Sequence, residues 1–181
     1  MLEALKKEVV AIARQAEASG LCRHKSGNFS IRDQETGYVV VTPAAVDRAE
    51  LTYYDICVVD LNACVLEAPE GRKPTSELLL HLEAYKRRPD IGAVVHTHSR
   101  FATAFAVLKK DIPAIVYEGA ALGGADGIIR VASYGRPGTP ALAASISGLI
   151  QSADAVLLES HGVLTVDKTA KEALLKAHYV E

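Results

Sequence analysis

The sequence has almost no excess charge of either sign: 20 lysines and arginines stand against 22 aspartates and glutamates, for a formal net charge of −2. Both signs are mixed along the whole chain, so no basic surface for nucleic acid or for an anionic membrane is expected. Long apolar runs are missing too. None approaches the ~18 residues of a transmembrane helix. The opening stretch "MLEALKKEVVAIARQAEASG" interrupts its apolar pattern with charges and has no secretory-leader core. Cysteine is scarce: Cys22, Cys57 and Cys64 are odd in number and show no C-x-x-C spacing. That argues against a disulfide framework, and the three are read as reduced packing residues of a cytoplasmic protein. There is no internal repeat, low-complexity segment or linker, so residues 1–181 are expected to form one domain.

What is present is the material of a globular core. Of 181 residues, 49% are hydrophobic and 23% charged, enough to fold as one domain. Leu2, Leu5, Val9, Ile12, Ala13 and Ala16 recur at helical spacing, with Gly20 as the stop. Four β-branched or alternating runs follow, "FSIR", "YVVVT", "DICVVD" and "ACVLEA", and predict a meander of strands. "PTSELLLHLEAYKRR" predicts an amphipathic helix opened by Pro74 and closed before Pro89. "IGAVVHTHS" reads as a strand, "RFATAFAVLKK" as a helix, and "AIVY" and "GIIRVA" as further strands. Thr139-Pro140 opens a helix over "PALAASISGLIQS". "DAVLLESHGVLTV" reads as strand, turn, strand, and the closing helix takes Asp167 as its cap. The strands are bunched rather than alternating strictly with helices, so the expected fold is an α/β sandwich around a largely antiparallel sheet.

The chemistry concentrates at strand ends. On a strand, positions i and i+2 face the same side, so His96 and His98 aim their rings together, with Thr97 opposite. Two such imidazoles are either satisfied edge histidines or ligands for a divalent metal. His161 in "LLESHGVL" again ends an apolar strand, and Gly162 behind it permits a tight turn. Three histidines at strand ends match a three-ligand zinc site with one position open. Glu77, in the first turn of its helix, is either a surface glutamate favoured by the helix dipole or a partner of that site. His81, one turn further on, either packs in the core or bonds to Glu77.

Taken together, "SGNFS", "PTSE", "HTHS", "IPAIVY", "SYGRPGT" and "SHG", in this order and at these intervals, resemble the class II aldolase/adducin family over about Leu5 to Ala177. The resemblance implies a three-layer α/β/α sandwich around a mixed, mainly antiparallel sheet. It implies one zinc ion per subunit held by His96, His98, His161 and Glu77, with Glu77 turning from ligand to base when substrate arrives. Gly27, Asn28, Thr75 and Ser76 would bind the phosphate of a sugar-phosphate substrate, and Tyr117 would act from a neighbouring subunit of a homotetramer with active sites between subunits. The implied reaction is reversible cleavage of a ketose 1-phosphate, of the L-fuculose 1-phosphate type, into dihydroxyacetone phosphate and an aldehyde such as L-lactaldehyde. One departure stands out: where family aldolases read "TPTG" or "TPSG", this chain reads "TPAAV", so Ala44 and Ala45 occupy a hydroxyl and a glycine position of the phosphate site. The lost side-chain donor is worth about 1.5–3 kcal/mol against a charged acceptor. Related 4-epimerases carry aspartate at the position of Glu77, a methylthioribulose-phosphate dehydratase uses the same metal platform, and adducin-like interaction modules lack the ligands that are present here.

Overall fold

The computed structural model describes residues 1–181. Eight strands form one sheet: β1 (Asn28–Arg32), β2 (Val39–Val41), β3 (Cys57–Val59), β4 (Val65–Glu67), β5 (Ala93–Thr97), β6 (Val131–Ala132), β7 (Ala155–Leu158) and β8 (Gly162–Asp167). Their spatial order is β4-β3-β2-β1-β5-β8-β7-β6. Every pairing is antiparallel except β6 with β7. The sheet is therefore mixed and mainly antiparallel, and β5 lies at its centre between β1 and β8.

Helices cover both faces because the central strands are apolar on both sides. Phe29, Ile31, Ala93 and Val95 pack with α1 (Glu3–Ala18) and α6 (Ala170–Val180). Val94, Leu164 and Val166 pack with α2 (Leu78–Arg87) and α5 (Pro140–Ile146). A smaller cluster joins Val163 and Leu157 to α3 (Arg100–Val107). The three-layer α/β/α arrangement is as expected. The alternation along β1 and β5 also decides the site: Asn28, Ser30 and His96 fall on the α2 face, opposite the Phe29 and Val95 face.

Several local expectations are corrected. "AIVY" is not a strand. Tyr117 opens the short helix α4 (Tyr117–Ala120), while Ile115, Val116 and Tyr117 are 79%, 57% and 87% exposed. These residues find no sheet edge to pair with, so an apolar β-branched run here marks an uncovered surface. "GIIRVA" contributes only Val131–Ala132 to the sheet, Ile129 making an isolated bridge to Ile112. Helix α2 begins at Leu78, so Pro74–Glu77 precede it. Those residues are tied to the end of β2 instead, through Thr75 N–H to the Thr42 carbonyl (3.0 Å) and a Pro43–Pro74 bridge. Helix α5 stops at Ile146. The cap of α6 is Thr169, whose hydroxyl accepts from Glu172 N–H at 3.2 Å, while Asp167 ends β8 and pairs with Lys176. Cys22 and Cys57 are buried free thiols, whose pKa values burial pushes up to about 11. Cys64 is free and exposed, so it is not a packing residue.

Leu164 is fully buried between the sheet and the α2 and α5 layer. Replacing it with alanine removes methyl groups that the rigid β5–β8–β7 centre cannot collapse to fill. Leu164→Ala should lower stability by about 2–5 kcal/mol, read from urea unfolding monitored by circular dichroism.

Candidate active site

His96 and the segment following it end the central strand, and the β7–β8 turn ends beside them. The rings of His96, His98 and His161 form a nearly equilateral triangle, with centroids 4.7, 4.9 and 5.0 Å apart and planes inclined at 65–72°. His98 lies just past the end of β5, yet its ring still joins that of His96, with the two Nε2 atoms 3.0 Å apart. Glu77 enters from the segment before α2. Its Oε2 lies 3.2 Å from His96 Nε2 and its Oε1 3.1 Å from His161 Nε2. One ligand atom from each of the four residues lies within 4.8 Å of the others.

Gly162 makes this convergence possible. A Cβ there would collide with the Thr97 carbonyl and come within 3.1 Å of the His98 ring and 3.3 Å of the His96 ring. Its role is thus to let the turn approach the Thr97 backbone and leave room for the imidazoles, whereas the left-handed residue of the turn is Ser160 at φ 55°. His96 Nδ1–H donates to the Val163 carbonyl (2.9 Å), which leaves the Nε2 lone pair facing the cluster.

The four residues fit a metal ion. Glu77 Oε1 and His161 Nδ1 are buried without an aligned hydrogen-bond partner, and several lone pairs face one another with too few protons between them. A tetrahedral site with bonds of about 2.0–2.1 Å has ligand-to-ligand edges of about 3.4 Å, close to the 3.0–3.2 Å of the His96–His98, His96–Glu77 and His161–Glu77 contacts, with all four ligand atoms within 4.8 Å of one another. Burial by itself would raise the pKa of the Glu77 carboxyl, but the imidazoles of His96 and His161 reverse this and hold it well below the usual carboxylate range. Loss of solvent, and then the charges of His96 and His161, push His98 down to about 3.

Behind the carboxylate runs a buried chain of hydrogen bonds that sequence reading did not find. A carboxylate only accepts, so every direction is fixed from that end. Asn28 Nδ2–H donates to Glu77 Oε2 (2.8 Å), and His81 Nε2–H to Asn28 Oδ1 (2.5 Å). The Ser30 hydroxyl donates to His81 Nδ1 (2.7 Å), and the Tyr85 hydroxyl to Ser30 Oγ (2.9 Å). Glu77, His81 and Tyr85 are spaced four apart along the α2 side, and Asn28 and Ser30 two apart on β1. Both periods were legible; their facing one another was not. His81 therefore reaches Glu77 through Asn28 rather than directly. It is fully buried, and loss of solvent lowers its pKa to about 3.

Beside the cluster lies a cleft of about 320 Å³, lined by Lys25–Asn28, Pro43–Ala45, Thr75–Glu77, His98 and His161 among others. All the residues expected to bind phosphate line it. The N–H groups of Gly27, Ala45 and Ser76 have no intramolecular acceptor, and successive free amides of this kind make an anion-binding concavity. Gly27 sits at φ 73°, where a Cβ would also strike Cys22 Sγ. Ala45 adopts φ 60°, the conformation for which glycine is better suited, and so keeps the amide that its side chain cannot replace. The Asn28 side chain is committed to Glu77 and His81. The Thr75 hydroxyl accepts from Glu77 N–H at 3.3 Å. Tyr117 does not line the cleft.

On the α/β/α sandwich, beside an amide-rich cleft, lies a His₃Glu cluster that could hold a metal ion, with Glu77 and His96 buried, His161 half-buried and His98 exposed. The chain belongs to the family described as class II aldolase and adducin N-terminal domain, whose sequence profile matches residues 7–181. It is 36% identical over 182 residues to the 5-deoxy-D-ribulose 1-phosphate aldolase of Bacillus thuringiensis serovar kurstaki, covering 100% of this chain and 83% of that protein. It is 34% identical over 177 residues to the L-fuculose phosphate aldolase of Escherichia coli, covering 98% of this chain and 79% of the other. A solved L-fuculose 1-phosphate aldolase superposes with a TM-score of 0.89 at 32% identity, over 98% of this chain and 82% of that one. No helix here is long and apolar enough to cross a membrane.

Two effects of the buried chain can be measured. Because the native pKa of His81 lies below that of an unfolded histidine (about 6.5), the unfolded state binds more protons between the two values. Stability of the metal-free protein should therefore fall as pH drops from about 6.5 toward 3, at about 1.4 kcal/mol per pH unit for this group. His81→Leu should remove that component of the slope. It should cost about 1–3 kcal/mol for each of the orphaned Asn28 and Ser30 groups and weaken metal affinity about 10–100-fold, read by thermal unfolding across pH and by competition with a chelator.

Proposed function

We propose that this protein is a metal-dependent aldolase that reversibly cleaves a short ketose 1-phosphate into dihydroxyacetone phosphate and an aldehyde. The observation that carries the reading is the His96–His98–His161–Glu77 cluster opening onto a cleft ringed by the free amides of Gly27, Ala45 and Ser76. Three imidazoles and one carboxylate favour zinc, one ion per subunit.

When bound, the ion supplies a Lewis acid for the negative charge that develops beside the breaking carbon–carbon bond. The chain supplies the rest. The amides of Gly27, Ala45 and Ser76, with the Ser76 hydroxyl, hold the phosphate and so fix where the carbon chain lies. Glu77 keeps Oε2 on the Asn28 amide and turns Oε1 toward the cluster, where it moves the proton on the carbon next to the keto group. Tyr117 exchanges a proton with the aldehyde oxygen from a neighbouring subunit. Its 87% exposure and its absence from its own chain's cleft support that assignment. Exposed Phe101, Leu108, Ile115 and Val116 support assembly into a homotetramer with active sites between subunits. A cytoplasmic location fits the buried free thiols.

Two of the substrate types named for the relatives, L-fuculose 1-phosphate and 5-deoxy-D-ribulose 1-phosphate, are treated alike by the chemistry. Cleavage between the third and fourth carbons yields the same triose phosphate from both. L-fuculose 1-phosphate then releases L-lactaldehyde, and 5-deoxy-D-ribulose 1-phosphate releases acetaldehyde. Zinc-loaded protein should form dihydroxyacetone phosphate from at least one of the two, assayed by coupled oxidation of NADH. Formation of an epimer from L-ribulose 5-phosphate without any triose phosphate would overturn the reading. His96→Ala should reduce bound zinc from about one equivalent to about a tenth or less, with turnover falling to background.

A further inference from the structure

Arg48 is an unusual residue for its place in the fold. It is 1% exposed, and no carboxylate forms an ion pair with it; Glu17 and Asp47 influence it only at longer range. Its Nη2 donates to the Gly27 carbonyl and, at 3.4 Å, to the Ser26 carbonyl; its Nη1 lies 3.4 Å from the Val46 carbonyl. The guanidinium is 5.6 Å from the Phe29 ring centre, and Nε is buried without a partner. Carbonyl oxygens and an aromatic face soften the loss of water but leave a whole positive charge uncompensated, an arrangement that is costly unless an anion arrives.

The arrangement points into the cleft, whose wall Arg48 shares with Gly27 and Ala45. In a trans peptide the C=O and N–H point in opposite directions. By drawing in the Ser26 carbonyl, Arg48 turns the N–H of the same peptide, that of Gly27, the other way, and this N–H has no acceptor within the chain. The residue is thus placed to do two things at once: hold the loop with its amide presented, and supply charge from behind it.

We propose that Arg48 is the protein's counter-charge for the substrate's phosphate group, acting through the Ser26–Gly27 loop that it clamps. This rests on the sugar-phosphate reading above and makes Arg48 a positioning residue, since it meets the anion across a peptide rather than by direct contact. A structural clamp alone needs hydrogen-bond donors; a counter-charge needs the cation.

Two substitutions separate these roles. Arg48→Gln keeps donors for the carbonyls and removes the charge, whereas Arg48→Lys keeps the charge and loses the planar fork. With both variants zinc-loaded, inorganic phosphate binding is measured by isothermal titration calorimetry. Arg48→Gln should bind phosphate at least about ten-fold more weakly and Arg48→Lys within about three-fold of the parent, with zinc content unchanged. In turnover, Arg48→Gln should raise KM for the ketose 1-phosphate far more than it lowers kcat. Parent-like phosphate binding by folded Arg48→Gln overturns the proposal, as does an equal loss in both variants, which would mark a clamp only. If the variants do not fold, a crystal structure of the unmodified protein with inorganic phosphate decides: an anion against the Gly27 amide with Arg48 as its nearest side-chain cation supports the proposal, and one bound elsewhere, or paired with Lys25 instead, overturns it. Failure of the aldolase reading has a different signature, namely a parent protein that binds phosphate but cleaves no ketose 1-phosphate.

Discussion

The crowding of lone pairs at the end of β5 is the constraint on which the surrounding structure depends. Three imidazoles and a carboxylate converge within 4.8 Å, and without a cation such a set repels itself or must take up protons. The fold holds the groups there nonetheless. His96 sits on the central strand with its Nδ1 pinned to Val163, and Gly162 withholds a Cβ that would strike the Thr97 carbonyl and crowd the His98 and His96 rings. Glu77 is steadied by four side chains in series, reaching back to Tyr85 in the core. A buried polar chain of that length is tolerated only when every member is satisfied. Here the members are satisfied up to the metal side of Glu77, where Oε1 is left free.

Charge gives the same result from another direction. With histidines neutral, the site's own residues amount to one carboxylate and one buried guanidinium, Glu77 and Arg48. With the dication and the dianionic phosphate of the proposed function added, the sum comes to zero. Without Arg48 the filled site would carry a net negative charge in a largely desolvated space, where such an imbalance is expensive. The exposed Lys25 at the rim is solvated and screened, so it substitutes poorly for a charge fixed beneath the loop.

Some of this was legible in the sequence and some was not. The period-two placement of His96 and His98, the His161-Gly162 pair and the strand pattern are local signals, and local signals carry the sheet and the metal cluster. The hydrogen-bonded chain behind Glu77 needed the facing of β1 and α2, which no window of sequence contains. Arg48 looked like any polar residue between turns, because burial without a partner is invisible until the chain is folded. The capping error at Asp167 arose because Thr169, two residues later, carries an equally good side-chain acceptor, and the end of β8 decided between them. The "AIVY" error was of another kind: β-branched residues report a preference for apolar contact, and periodicity does not say whose surface supplies it.

That last point bears on how the reaction is divided. The residues of one chain gather a cluster that could hold a metal, an amide-rich cleft and a single carboxylate, and no tyrosine lines the cleft. The proposed aldol cleavage needs proton transfer at two places, addition at the carbon next to the keto group and removal from the hydroxyl that becomes the aldehyde oxygen, and the proposal gives Glu77 the first. The group that takes the second proton, and returns it in the reverse reaction, has to come from somewhere. The most exposed tyrosine of the chain sits in an uncovered apolar segment, where its own fold offers it nothing to bind. On the proposed reading, a surface of that kind and a missing proton carrier are answered together if the edge that one copy leaves bare completes the cleft of the next.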